Sequence, residues 1–66
     1  MTPAEQIRAI RHSTGLSQAA FGKVYEIPRR TIQNWETGIN VPPPYVIRLL
    51  ELVVAAYPPD RLEDPE

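Results

Sequence analysis

Helix-breaking residues cut this chain into pieces too short for anything but small helices. Gly15, Pro28, Gly38, the run Pro42-Pro43-Pro44 and the pair Pro58-Pro59 leave four short stretches between them. Apolar residues in those stretches recur at helical spacing, and no strand alternation, internal repeat or low-complexity tract is present. At 66 residues the chain holds one small domain at most. A doubly wound sheet, a barrel or a two-domain cleft is excluded. There is no cysteine, so neither a disulfide nor a thiolate metal site staples the fold. It must rest on an apolar core alone, or on that core plus a partner chain. The expected fold class is all-α, a compact bundle of four to five helices.

The helix boundaries follow from local chemistry. Thr2-Pro3-Ala4-Glu5 is a capping box with proline at the first helical position, and Gly15 ends that helix. Its stripe is Ile7 and Ile10. Ser17 caps a second helix that ends near Tyr25-Glu26, with Ala20, Phe21 and Val24 inward. The third lies between Pro28 and Thr37, with Ile32 and Trp35 on its core side and Gly38 beyond its end. Trp35 is expected in the core rather than stacked on a base. The fourth runs from Pro44 to Tyr57 and is stopped by Pro58-Pro59.

That fourth helix is apolar most of the way round. Tyr45, Val46, Ile47, Leu49, Leu50, Leu52, Val53 and Val54 are broken only by Arg48 and Glu51. One stripe suffices to cover three short helices. Either a tiny domain uses every apolar side chain for its core, or a second stripe packs on another copy. The second reading is preferred, with Val46, Leu49, Leu50, Val53 and Val54 as the expected dimer interface, because large exposed apolar patches are rare on monomers.

The second and third helices are separated by about three residues. Two short helices joined by a tight turn make a helix-turn-helix, whose second helix fits a DNA major groove. Gly22, in mid-helix, costs about 1 kcal/mol relative to alanine. A close helix contact is the expected reason. Arg29, Arg30, Gln33 and Asn34 form the outward face of the third helix. Arginine pairs with guanine, and the amides pair with adenine. The ordinary alternative is a solvated polar face.

The stretch Leu16-Ser17-Gln18-Ala19-Ala20-Phe21-Gly22, followed by Ile27-Pro28-Arg29-Arg30-Thr31-Ile32-Gln33-Asn34-Trp35-Glu36-Thr37-Gly38 and then Pro42, resembles the lambda-repressor-like (XRE, Cro/cI-type) helix-turn-helix family. The resemblance covers roughly Ile7 to Val54, and antitoxin-type and phage-regulator members are the most similar. It implies a dimeric, sequence-specific DNA-binding repressor on a palindromic operator. By the same resemblance, Arg29, Arg30, Gln33 and Asn34 occupy base-reading positions, and Gln18, Thr31, Thr37 and Asn40 occupy phosphate-contacting ones. Arg11 and Glu36 match a pair that joins the first helix to the third. The alternative places Arg11 directly on phosphate. Lys23, on the outer side of the second helix, is a further phosphate candidate.

Three departures from the family pattern stand out. Gly22 replaces the usual alanine. Glu26 stands where glycine usually sits, and a non-glycine residue at positive φ is strained, so the turn is expected either to differ or to carry a cost. Pro28 replaces a hydroxyl cap. In addition, the linker Ile39-Asn40-Val41 lacks the cations many members place on phosphate.

Net charge is −1, but its distribution is uneven. Residues 1–57 carry six cations against four acids, leaving +2, whereas residues 58–66 carry Arg61 against Asp60, Glu63, Asp64 and Glu66, leaving −3. The expected division is therefore a DNA-binding domain over 1–57 and an acidic, proline-containing tail over 58–66, read as mobile. The tail's ordinary role is solubility; its sharper one is to bind a toxin or other basic protein, which makes an antitoxin-like protein-binding module the rival function. No stretch is long enough to span a membrane and no leader pattern is evident, so a cytoplasmic protein is expected. His12 has no metal partners, and no catalytic triad, carboxylate dyad or phosphate-cradling loop is present. No enzyme activity, cofactor or metal is expected.

Overall fold

The structure, a computed structural model, describes residues 1–59. These form α1 (Pro3–Thr14), α2 (Gln18–Tyr25), α3 (Arg29–Thr37) and α4 (Pro44–Ala56). The described residues contain no strand, so the chain is all-α as its periodicity predicts.

Each boundary has a local cause. The Thr2 hydroxyl accepts from the Glu5 N–H at 3.2 Å, and the Glu5 carboxylate accepts from the Thr2 N–H at 2.9 Å. The capping box is thus closed in both directions. Ser17 Oγ accepts from the Ala20 N–H at 3.1 Å and opens α2. Gly15 and Gly38 take the left-handed conformation, with φ of 75° and 82°, and stop α1 and α3. α3 and α4 start after Pro28 and Pro43, with no side-chain cap.

The core is a single cluster. Ile7 of α1, Phe21 of α2 and Ile32 of α3 are fully buried. Ile10 of α1 and Ile47 and Leu50 of α4 complete it. Full burial of such side chains contributes about 1.5–3 kcal/mol each. Leu16, Tyr25, Ile27, Trp35 and Val54 pack around this centre. The Phe21 and Tyr25 rings meet at 4.9 Å between centroids with a tilt of 52°. α1 packs on both α3 and α4, and α2 packs on α3. α1 is therefore the platform against which the helix-turn-helix is held.

The structure corrects the expected interface on α4. Leu50 is a core residue, with only 7% of its surface exposed. It lies one turn from Ile47 and points with it toward α1. Val54 packs against the same core. Leu49 and Val53 stay exposed, and so do Tyr45 and Leu52. The apolar surface on α4 is thus two stripes, one used by the domain itself.

Candidate nucleic-acid interface

The turn between α2 and α3 decides how α3 is presented. Glu26 sits at φ 59° and ψ 43°, the left-handed region. Its N–H and that of Ile27 both donate to the Gly22 carbonyl. The sharp reversal lays the Ile27 carbonyl directly on Gly22. A Cβ at Gly22 would collide with that oxygen and press on Ile32 Cδ1 at 3.2 Å. Glycine is therefore required by the turn's own backbone as well as by the approach of α3. The geometry expected of glycine at position 26 is kept, and Glu26 bears its cost, about 1 kcal/mol.

α3 divides cleanly into two faces. Ile32 and Glu36 are buried. Arg29 and Arg30 are exposed, and Gln33 and Asn34 are half-buried. None of these four side chains has a hydrogen bond or ion pair to the other described residues. Their donors and acceptors are thus free to meet an external surface. Trp35 is half-buried against the core, in keeping with its position beside Ile32.

The back of α3 is fastened to α1 by charge. Arg11 Nε donates to Glu36 Oε2 at 2.7 Å, and Nη2 donates to Glu36 Oε1 at 3.1 Å. Its Nη1 donates to the Leu16 carbonyl at 3.0 Å. The Glu36 side chain is only 4% exposed, and that of Arg11 14%. Each of its three guanidinium nitrogens thus has a partner inside the protein, which turns the side chain toward α2 and α3. Burial pushes the Glu36 carboxyl up. Hydrogen bonds from Arg11 and Gln18, and the charges of Arg11 and Arg8, outweigh that and hold it below the usual range. The hydrogen bond to Glu36 raises Arg11 in turn.

Arg8 belongs to this fastening and was missed by the sequence reading. Its Nη1 donates to the backbone carbonyl of Glu36. A cation at the end of α3 suits the negative end of the helix, which has no basic residue in its own last turn. The signal was available, since Arg8 and Arg11 lie three residues apart and share one face of α1.

A helix-turn-helix so assembled is the architecture of DNA-binding regulators. A family model described as a helix-turn-helix domain matches residues 4–63. The chain belongs to the helix-turn-helix family. This helix-turn-helix domain is also 35% identical over 49 residues to the antitoxin HigA-2 of Vibrio cholerae serotype O1, a match that covers 74% of the chain and 47% of the relative. The chain therefore spans about half the length of that curated relative. No solved structure gives a significant match.

The residues expected on phosphate occupy varied settings in the helix-turn-helix domain. Gln18 is half-buried at the start of α2, and its Nε2 donates to Glu36 Oε1 at 3.0 Å. One amide hydrogen remains for another acceptor. Thr31 is half-buried, while Lys23 and Asn40 are exposed. Thr37 turns its hydroxyl onto its own helix and donates to the Gln33 carbonyl at 2.8 Å. It must leave that bond to donate to a phosphate oxygen. Asp60 to Glu66, the acidic part of the tail, lies outside the described residues. Among the described residues no helix is long and apolar enough to cross a membrane, and no cluster of ligating side chains could hold a metal ion.

Proposed function

We propose that this chain is a sequence-specific DNA-binding transcriptional repressor of its own operon, acting in the cytoplasm. Two copies, each using residues 1–57 as its DNA-binding domain, bind a palindromic operator. The α3 helices enter successive major grooves about 34 Å apart. Arg29, Arg30, Gln33 and Asn34 read base edges. Gln18, Lys23, Thr31, Thr37 and Asn40 meet the phosphate backbone and set the register.

The observation that carries this reading is the state of α3. Its outer side chains are unpaired, while its inner face is fixed by Ile32, by the Glu36–Arg11 pair and by Arg8. A merely solvated face has no need of so firm a mount. Exposed Leu49 and Val53 on α4 support a second copy.

A second reading is favoured by the relative named as an antitoxin. In it the main partner is a toxin or another basic protein, met by α4 or by the acidic tail over 58–66. Titration of the chain against duplexes tiling the region upstream of its own gene tests the first reading. Tight binding to one duplex, lost when that duplex is shuffled, is the expected result. Equal binding to native and shuffled duplexes, together with a protein partner that is lost on tail deletion, would favour the second.

A further inference from the structure

Arg8 and Arg11 lie about one turn apart on α1 and present different edges of their guanidinium groups to α3. Arg11 lays Nε and Nη2 along the two Glu36 carboxylate oxygens. Arg8 instead gives Nη1 to the Glu36 backbone carbonyl. Its Nε and Nη2 have no hydrogen-bond partner among the described residues. Glu5, one turn earlier on α1, accepts from the Thr2 N–H in the capping box and forms no ion pair with Arg8. The free edge of Arg8 is thus the same two-pronged fork that Arg11 fits to a carboxylate. That fork matches a phosphate equally well.

We propose that this edge of Arg8 holds a phosphate of the DNA backbone at the C-terminal end of α3. The proposal rests on the DNA-binding reading above and adds to it a contact from α1. The electrostatics of that end carry it. The last carbonyls of a helix bear partial negative charge, which repels phosphate. Yet Thr37 and Asn40, two of the residues assigned to phosphate, sit at that end. α3 has no basic residue in its last turn, and the linker Ile39-Asn40-Val41 brings none. The charge of Arg11 is matched by Glu36. Arg8 supplies the missing cation from the neighbouring helix.

Its placement is set in advance. The Asn34 carbonyl accepts from the Asn40 N–H at 3.2 Å, and the Trp35 carbonyl from the Gly38 N–H at 3.4 Å. The Glu36 carbonyl is left to Arg8. It belongs to the peptide that leads into Thr37, so the guanidinium lies against the backbone of a residue assigned to phosphate. Arg8 is half-buried and its head is held rather than swinging free. A side chain so held loses less freedom on binding than an exposed lysine does.

Salt dependence tests this contact. Arg8→Gln removes the charge and the fork but keeps an N–H donor for the Glu36 carbonyl. It and the native chain are titrated by fluorescence anisotropy, at several salt concentrations, against the upstream duplex that the native chain binds most tightly. The expected result is a slope of log K against log salt that is shallower by about 0.9 per bound copy, with the preferred sequence unchanged. An unchanged slope in a folded Arg8→Gln chain overturns the proposal and leaves Arg8 a fastening of α3 alone. If Arg8→Gln does not fold, Arg8→Lys decides, because it keeps the charge but not the fork. Weaker binding than the native chain's at every salt concentration is expected of it, and equal binding overturns the proposal. A native chain that binds no duplex at any salt concentration rejects the DNA reading itself, whereas native binding with an unaffected variant rejects only the Arg8 contact.

Discussion

Glu36 near the end of α3 grips Arg11 of α1 through two parallel hydrogen bonds of 2.7 and 3.1 Å. The carboxylate also accepts from Gln18 of α2. One buried side chain therefore ties α1, α2 and α3 together. Its value is positional as well as energetic, since a buried ion pair often adds little net stability over an apolar substitute. Losing one partner is another matter, because the other charge stays buried. Glu36→Gln should cost about 3 kcal/mol. Urea denaturation measures it; a cost below 1 kcal/mol would show that the pair does not brace the fold.

The same carboxylate gives the stability a pH dependence. Glu36 titrates below the ordinary glutamate value in the folded chain and returns to that value on unfolding. Between the two values the unfolded state binds more protons. The stabilisation is therefore present above about pH 4.5 and lost as pH falls through the lower folded value. Urea midpoints of the native chain and Glu36→Gln should lie far apart at neutral pH and converge in acid. A gap that stays constant down to pH 3 would contradict this.

The turn yields a pair of opposite predictions. Glu26→Gly relieves a left-handed residue but enlarges the freedom of the unfolded chain, for a net gain of about 0.5 kcal/mol. Gly22→Ala forces a Cβ against the Ile27 carbonyl and should cost about 1–3 kcal/mol. Thermal unfolding of both variants checks the signs. A stabilising Gly22→Ala would mean that the turn can relax away from α2.

On DNA, the two classes of contact should separate. Arg29→Ala should cost about 1–3 kcal/mol and relax preference at one base pair. Gln18→Ala should weaken all duplexes alike. Few exposed cations on this face also imply a shallow salt dependence, since each neutralised phosphate changes log K by about −0.9 per unit of log salt. Anisotropy titrations at several salt concentrations decide. A slope as steep as that of a strongly basic repressor would be incompatible with this interface.

Much of this was legible in the sequence, because short-range chemistry sets it. Thr2 with Glu5, Ser17, Gly15 and Gly38 mark helix ends through local capping rules, and the structure places those ends where the rules do. That Arg29 and Arg30 are exposed while Ile32 enters the core follows from helical period alone, whereas the half-burial of Gln33 and Asn34 does not. What required three dimensions was partnership. Nothing local says that Arg8 reaches the Glu36 carbonyl or that Gln18 shares the Glu36 carboxylate. Leu50 was misassigned for a related reason. On a helix apolar nearly all round, the period cannot tell which stripe meets α1. Glu26 shows the converse, a local preference overridden because the packing of Ile27 on Gly22 demands the left-handed turn.

Selection of bound DNA from a random duplex pool tests the central claim most directly, with the native chain and an Arg29→Ala/Arg30→Ala chain run in parallel. The account predicts enrichment of an inverted repeat by the native chain, lost in the double variant while its fold is retained. A folded native chain that enriches no sequence, or a double variant that enriches the same repeat, would contradict it.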